Sequence, residues 1–116
     1  MIHQRIKRVN ELIKQEVSKI IQEELDDPRI KFLTITSVET TPDLKKATIW
    51  VSFLGENPEE LLSVLVENIY KIQRFLNRRL EMKYIPRVEF KYDNSLSYAQ
   101  HIEELLDEVK GEKRKR

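Results

Sequence analysis

Between Asn57 and Leu96 the apolar residues change period, and that change limits the fold more than any other feature of the chain. Leu62, Leu65, Ile69, Ile72, Leu76 and Leu80 recur every three or four residues, the spacing of one helix face. Asn57 is a favourable N-cap, Pro58 suits the first helical position, and Glu60 stands at capping-box distance from Asn57. At about 100° per residue, Lys71, Arg74 and Arg78 fall opposite the apolar stripe. Past Pro86 the period drops to two. Val88, Phe90 and Tyr92 alternate with Glu89 and Lys91, the pattern of a half-buried strand. A single helix from Pro58 to Leu80 and beyond exceeds the usual length, and Asn68, a weak helix former, stands near its middle, so a kink is expected there.

The preceding residues supply what this helix and strand pack against. Residues 1–27 read as an amphipathic helix, with Ile6, Val9, Ile13, Val17, Ile20 and Ile21 on one face. Asp26-Asp27-Pro28 stops it, because the residue before proline avoids the α region. A helix-ending turn accounts for the two carboxylates better than acid–base chemistry does, since no other catalytic group accompanies them. Residues 30–39 read as a strand, with Leu33 and Ile35 on one side and Thr34 and Thr36 on the other. Thr41-Pro42-Asp43 provides a turn into a second strand over residues 46–54. Ala47, Ile49, Val51 and Phe53 face inward on that strand, while Thr48, Trp50 and Ser52 face outward. Trp50 either stacks on a base, as aromatics on RNA-binding sheets do, or packs under a terminus or loop.

The first two strands make an antiparallel hairpin. Strand, long helix and strand then form a crossover, which sets the last strand parallel to the second and the helix on one face. The fold expected is α+β: order α-β-β-α(kinked)-β, a three-stranded mixed sheet with helices on one face. A further C-terminal helix is expected from Ser97 to Val109, acidic through Glu103, Glu104, Asp107 and Glu108. The domain is placed at residues 3–106 including this helical extension, and residues 107–116 are read as a basic, disordered tail. Lys113, Arg114, Lys115 and Arg116 are either an arm toward RNA or a solvated end.

Net charge is only +1, so the sign has to be read locally. Lys71, Arg74, Arg78, Arg79, Lys83, Arg87 and Lys91 stand against only Glu81 and Glu89 in that interval, whereas Asp93 to Glu108 carries five acids and no Lys or Arg. Such segregation makes an oriented potential. Arg5, Lys7 and Arg8 open the first helix, at the end where its dipole disfavours cations, and are either solvated or in contact with phosphate. Enzymatic signals are missing. Gly55 and Gly111 are the only glycines, so no Gly-rich phosphate cradle is present, and His3 and His101 lack metal-ligand spacing. No catalytic residue, metal or cofactor is expected. The absence of cysteine fits a reducing compartment, and no apolar run is long enough for a bilayer, so a soluble, cytoplasmic protein is expected; a monomer is expected as well.

The element order resembles a type II KH domain, an RNA-binding fold. More specifically, the chain resembles the ribosome-binding factor A family of bacterial small-subunit assembly factors. The likeness rests on Arg5-Ile6-Lys7-Arg8-Val9-Asn10, Asp27-Pro28-Arg29, Thr34-Ile35-Thr36-Ser37-Val38 and Asp43-Leu44-Lys45-Lys46-Ala47. It continues through Val51-Ser52-Phe53-Leu54, Ile85-Pro86-Arg87-Val88-Glu89-Phe90 and Tyr92-Asp93-Asn94-Ser95-Leu96, about residues 5–106 in all. The resemblance implies binding to the free or maturing 30S subunit, with 16S rRNA and small-subunit ribosomal proteins as partners. It also implies help in late maturation, including 16S 5′-end processing and cold adaptation, and no catalysis. Lys71, Arg74, Arg78, Arg79, Lys83, Arg87, Arg5, Arg8, Lys45 and Lys46 are the candidate RNA-contacting residues. The alternative is a protein–protein module, or a KH-like RNA binder not specific to the 30S subunit. One departure stands out. KH domains turn between two helices on GxxG and this family usually on Ala-x-Gly, where the present chain has Asn68-Ile69-Tyr70.

Overall fold

In a computed structural model, residues 2–30, 32–53 and 57–94 are described, and the expected C-terminal helix, the boundary at residue 106 and the basic tail lie outside them. The order is helix α1 (Ile2–Glu24), a 3-10 turn (Pro28–Ile30), strands β1 (Leu33–Thr40) and β2 (Lys46–Phe53), helices α2 (Pro58–Glu67) and α3 (Ile69–Arg79), and strand β3 (Arg87–Tyr92). The sheet runs β1-β2-β3, with β1 antiparallel and β3 parallel to β2. This is the expected α+β arrangement.

The helices lie on one face of the sheet because only that face is apolar. Ile35 and Val38 from β1, Ala47, Ile49 and Val51 from β2, and Val88 from β3 are buried against Val9, Ile13, Val17, Ile20 and Ile21 of α1 and the inner sides of α2 and α3. Burying a branched aliphatic side chain contributes roughly 1.5–3 kcal/mol, so this layer dominates stability. In β1 the alternation shifts. Ile35 pairs with Val51 but Ser37 pairs with Trp50, so Thr36 is an extra, bulged residue. The bulge restores inward phase for Val38 and Thr40 and ties β1 to the end of β3, because Thr36 Oγ1 donates to Asp93 at 2.6 Å. Thr40 is buried and bonded through its hydroxyl to Asn10 of α1.

The long helical segment starts as expected, with Asn57 accepting from the Glu60 N–H at 3.1 Å and Pro58 at the first turn. It breaks at Asn68, whose φ of −104° and ψ of 10° are not helical. No glycine is needed. The Asn68 side-chain amide donates to the Val64 carbonyl at 2.8 Å and closes the end of α2 with a side-chain bond. The break also re-aims the stripe: α2 buries Leu61, Val64 and Leu65, while Leu62 and Ile69, expected inside, are only half-buried. α2 packs on β2, β3 and the 3-10 turn, whereas α3 packs on α1 and β3, so the two helices bury different faces. The turn after α1 is held by Asp27, which accepts from the Arg29 backbone and, at 2.7 and 3.0 Å, from its guanidinium. That pairing keeps the Asp27 carboxyl below the usual range.

Gln73 of α3 joins helix to strand. Its carboxamide donates to the Pro86 carbonyl at 3.0 Å and accepts from the Val88 N–H at 2.9 Å. On the other side of β3, the Arg87 N–H reaches the Lys45 carbonyl at 2.9 Å. The end of the loop that runs from Leu80 to Pro86 is thereby fixed where β2 and β3 begin.

Candidate nucleic-acid interface

The candidate cations sort into three places. Lys71, Arg74 and Arg78 are exposed along the outer side of α3, opposite buried Ile72 and Leu76. Among the described residues none of the three forms an ion pair; Arg78 only leans over the Phe75 ring, 6.0 Å from its centroid. Arg79, next in sequence, turns the other way. Its guanidinium lies within 3.2–3.6 Å of Glu16, Glu23 and Glu24 on α1, and its side chain is 24% exposed. Arg79 therefore sits in the α1–α3 contact, apart from the outward strip.

The third place was not visible as a unit in the sequence. Arg5 from α1, Lys45 from the β1–β2 turn, Lys46 from the start of β2, Lys83 from the α3–β3 loop and Arg87 from β3 line one groove of about 920 Å³. Among the described residues Asp43 is the only carboxylate in its lining; Lys46 is also paired with Glu89 at 2.9 Å. Arg8 is exposed one turn after Arg5 but does not line the groove. Between the cations lie Leu44, Met82, Tyr84 and Ile85. Tyr84 is 72% exposed, with the Lys83 ammonium 5.6 Å from its ring centroid. Cations next to accessible aromatic and aliphatic surface suit a ligand that carries both phosphate and bases.

The turn that carries Lys45 and leads into Lys46 is held by side-chain bonds. Asp43 accepts from the Thr41 hydroxyl at 2.7 Å and from the Lys45 N–H at 3.1 Å, and both bonds hold its carboxyl below the usual range. Leu44 sits at φ 60°, a left-handed conformation that disfavours any residue with a Cβ, and its side chain is partly packed on the core. Neither Leu44 nor Tyr84 carries a sequence signal of function on its own.

Trp50 lies on the sheet face away from the helices, and its neighbours engage it. Its indole N–H donates to Glu39 at 3.0 Å, and Lys91 stands 5.7 Å from the ring centroid. Among the described residues no cluster of His, Asp or Glu is arranged to hold a metal, and no described helix is long and apolar enough to cross a membrane.

One layer of helices over a three-stranded mixed sheet, with a broken helix before its parallel strand, defines the class: a type II KH-like domain. A family model described as ribosome-binding factor A matches residues 5–106, and the chain belongs to that family. It is 40% identical over 107 residues to ribosome-binding factor A of Nitrosococcus oceani, covering 90% of this chain and 84% of that one. The crystal structure of ribosome-binding factor A from Thermus thermophilus is similar at a TM-score of 0.68 and 28% identity, over 75% of this chain and 94% of that one. A homology model of the Thermus thermophilus factor, fitted into a cryo-electron-microscopy map of its complex with the 30S subunit, is similar at a TM-score of 0.62 and 29% identity, over 72% of this chain and 89% of that one.

Proposed function

We propose that this protein binds the free or maturing 30S ribosomal subunit in the cytoplasm through 16S rRNA. In this reading it assists late assembly, including formation of the 16S 5′ end and assembly in the cold, as a binding factor without chemistry of its own. Family membership supports the ribosomal partner, and the Thermus thermophilus relative is placed on a 30S particle. The observation that carries the RNA contact is the outward strip of Lys71, Arg74 and Arg78, without ion pairs among the described residues and held on a helix anchored by Ile72 and Leu76. Cations of this kind bind phosphate without reading sequence, so the shape of the rRNA supplies specificity.

Sedimentation with purified 30S, 50S and 70S particles tests this reading. The parent chain is expected to travel with 30S particles and not with 50S. Lys71→Glu/Arg74→Glu/Arg78→Glu is expected to keep the native circular dichroism spectrum and lose 30S binding, most visibly at low salt where the charges are least screened. Equal sedimentation with all three particles counts against the 30S reading. A triple variant that binds as the parent does across a salt titration removes α3 from the interface.

A further inference from the structure

We infer that the groove where β2 and β3 begin holds an unpaired stretch of RNA, with a base against Tyr84 and the neighbouring phosphates on Lys45, Lys83, Arg87 and Arg5. The inference rests on the RNA-binding reading above and adds to it a second site with a different preference. The α3 strip sets its cations, with the exposed Tyr70 beside Arg74, on one open helix face, which suits any phosphate backbone. The groove offers charge with stacking surface, and its walls come from four segments that the fold brings together.

Three observations favour an unpaired strand as the occupant. With Lys46 paired to Glu89, the lining still carries Arg5, Lys45, Lys83 and Arg87 against Asp43, so the complementary ligand is a polyanion. Tyr84 is 72% exposed although Met82 and Ile85 on either side of it pack against the core and Pro86 beyond them is bonded to Gln73, so its ring stands in solvent on a loop anchored at its flanks. An exposed ring on an anchored support is a stacking platform, and only a base free of its duplex neighbours can lie on it. Finally, Leu44, Met82 and Ile85 give the groove an apolar floor that a duplex, presenting phosphates and hydroxyls, would leave wet. The site lies at the end of the sheet, well along the chain from the Asn68 break that takes the place of the KH turn.

Fluorescence anisotropy with labelled octa-uridylate, and with a short blunt RNA duplex, tests the assignment on the full chain. Tyr84→Ala is expected to weaken octa-uridylate binding by about 5- to 150-fold, the usual effect of removing one stacking ring, without changing the salt slope. Tyr84→Phe should bind nearly as the parent does, which separates stacking from a role of the hydroxyl. Lys83→Ala should lower the slope of log affinity against log salt by about 0.7, the increment for one phosphate contact on a single strand. The duplex should show no dependence on Tyr84. Parental affinity of Tyr84→Ala for octa-uridylate, or an equal loss on the duplex, overturns the groove. Sedimentation of the same proteins with 30S particles keeps the two readings apart. A parent chain that holds octa-uridylate through Tyr84 yet ignores 30S particles supports the groove and overturns the ribosomal partner. One that sediments with 30S while Tyr84→Ala holds octa-uridylate unchanged overturns the groove alone.

Discussion

The outward strip of α3 and the groove at the start of β2 and β3 are both cationic, but they are assembled in opposite ways. Lys71, Arg74 and Arg78 need only one helix with its apolar side turned inward. The groove cations come from α1, the hairpin turn with the start of β2, the α3–β3 loop and β3, and meet only when the whole sheet is paired. A strip of this kind tolerates looseness in the rest of the molecule. A groove does not, because a small shift of any wall moves a phosphate contact out of reach. Adjacent residues make the contrast sharpest: Arg78 faces solvent, while Arg79 is enclosed by Glu16, Glu23 and Glu24.

The largest effect expected is the one that abolishes both regions at once. Ile72 is fully buried behind the strip, so Ile72→Asp is expected to cost on the order of 3–5 kcal/mol, as unpaired buried charge does, and chemical denaturation measures it. A stable Ile72→Asp protein would mean that the strip does not depend on this core. Next comes a change aimed at the groove. Gln73→Leu strands the Pro86 carbonyl and the Val88 N–H, which should cost about 1–3 kcal/mol. It should weaken octa-uridylate binding while leaving phosphate contacts of the strip, read as the salt slope on duplex RNA, in place. Arg79→Ala is expected to cost about 1 kcal/mol of stability with an unchanged salt slope for RNA. Arg78→Ala should do the reverse, with stability within about 0.5 kcal/mol and a shallower slope.

The smallest effect concerns the turn at the groove mouth. Asp43 is held below the usual carboxylate range, so its contribution is present above the unfolded value and fades as pH falls through the lowered one. The parent should therefore lose a small increment of melting temperature on acidification that Asp43→Asn does not lose.

The parts legible in the sequence were those set by near neighbours. The Asn57 cap, the inward faces of β2 and the outward cations of α3 all follow from spacing along a few turns or residues, whereas α1 ends at Glu24, short of the stop expected at Asp26-Asp27-Pro28. Thr36 is different, because a bulge is defined by the partner strand, and nothing in β1 alone says that Ser37 will face Trp50. The shift from Leu62 to Leu61 has the same origin: α2 answers to β3 and the 3-10 turn, not to the stripe continued from α3. Arg79 read as a member of the cationic run because its three carboxylate partners lie on α1, more than fifty residues away. Tyr84 and Leu44 were silent for that reason as well, since a groove wall is a property of the tertiary structure.

Gln73 has a consequence beyond holding a loop. β3 is the last strand of the sheet, and its Arg87 N–H is taken by Lys45, so the Val88 N–H points away from β2. Outward backbone groups on a terminal strand are a template on which another extended chain can pair, the first step of sheet growth between molecules. Here one carboxamide occupies both the Pro86 acceptor and the Val88 donor, the two groups that an incoming strand would use first. Among the described residues, a side chain thus stands where a fourth strand would begin, and the same amide that fixes the groove also blunts the edge of the sheet.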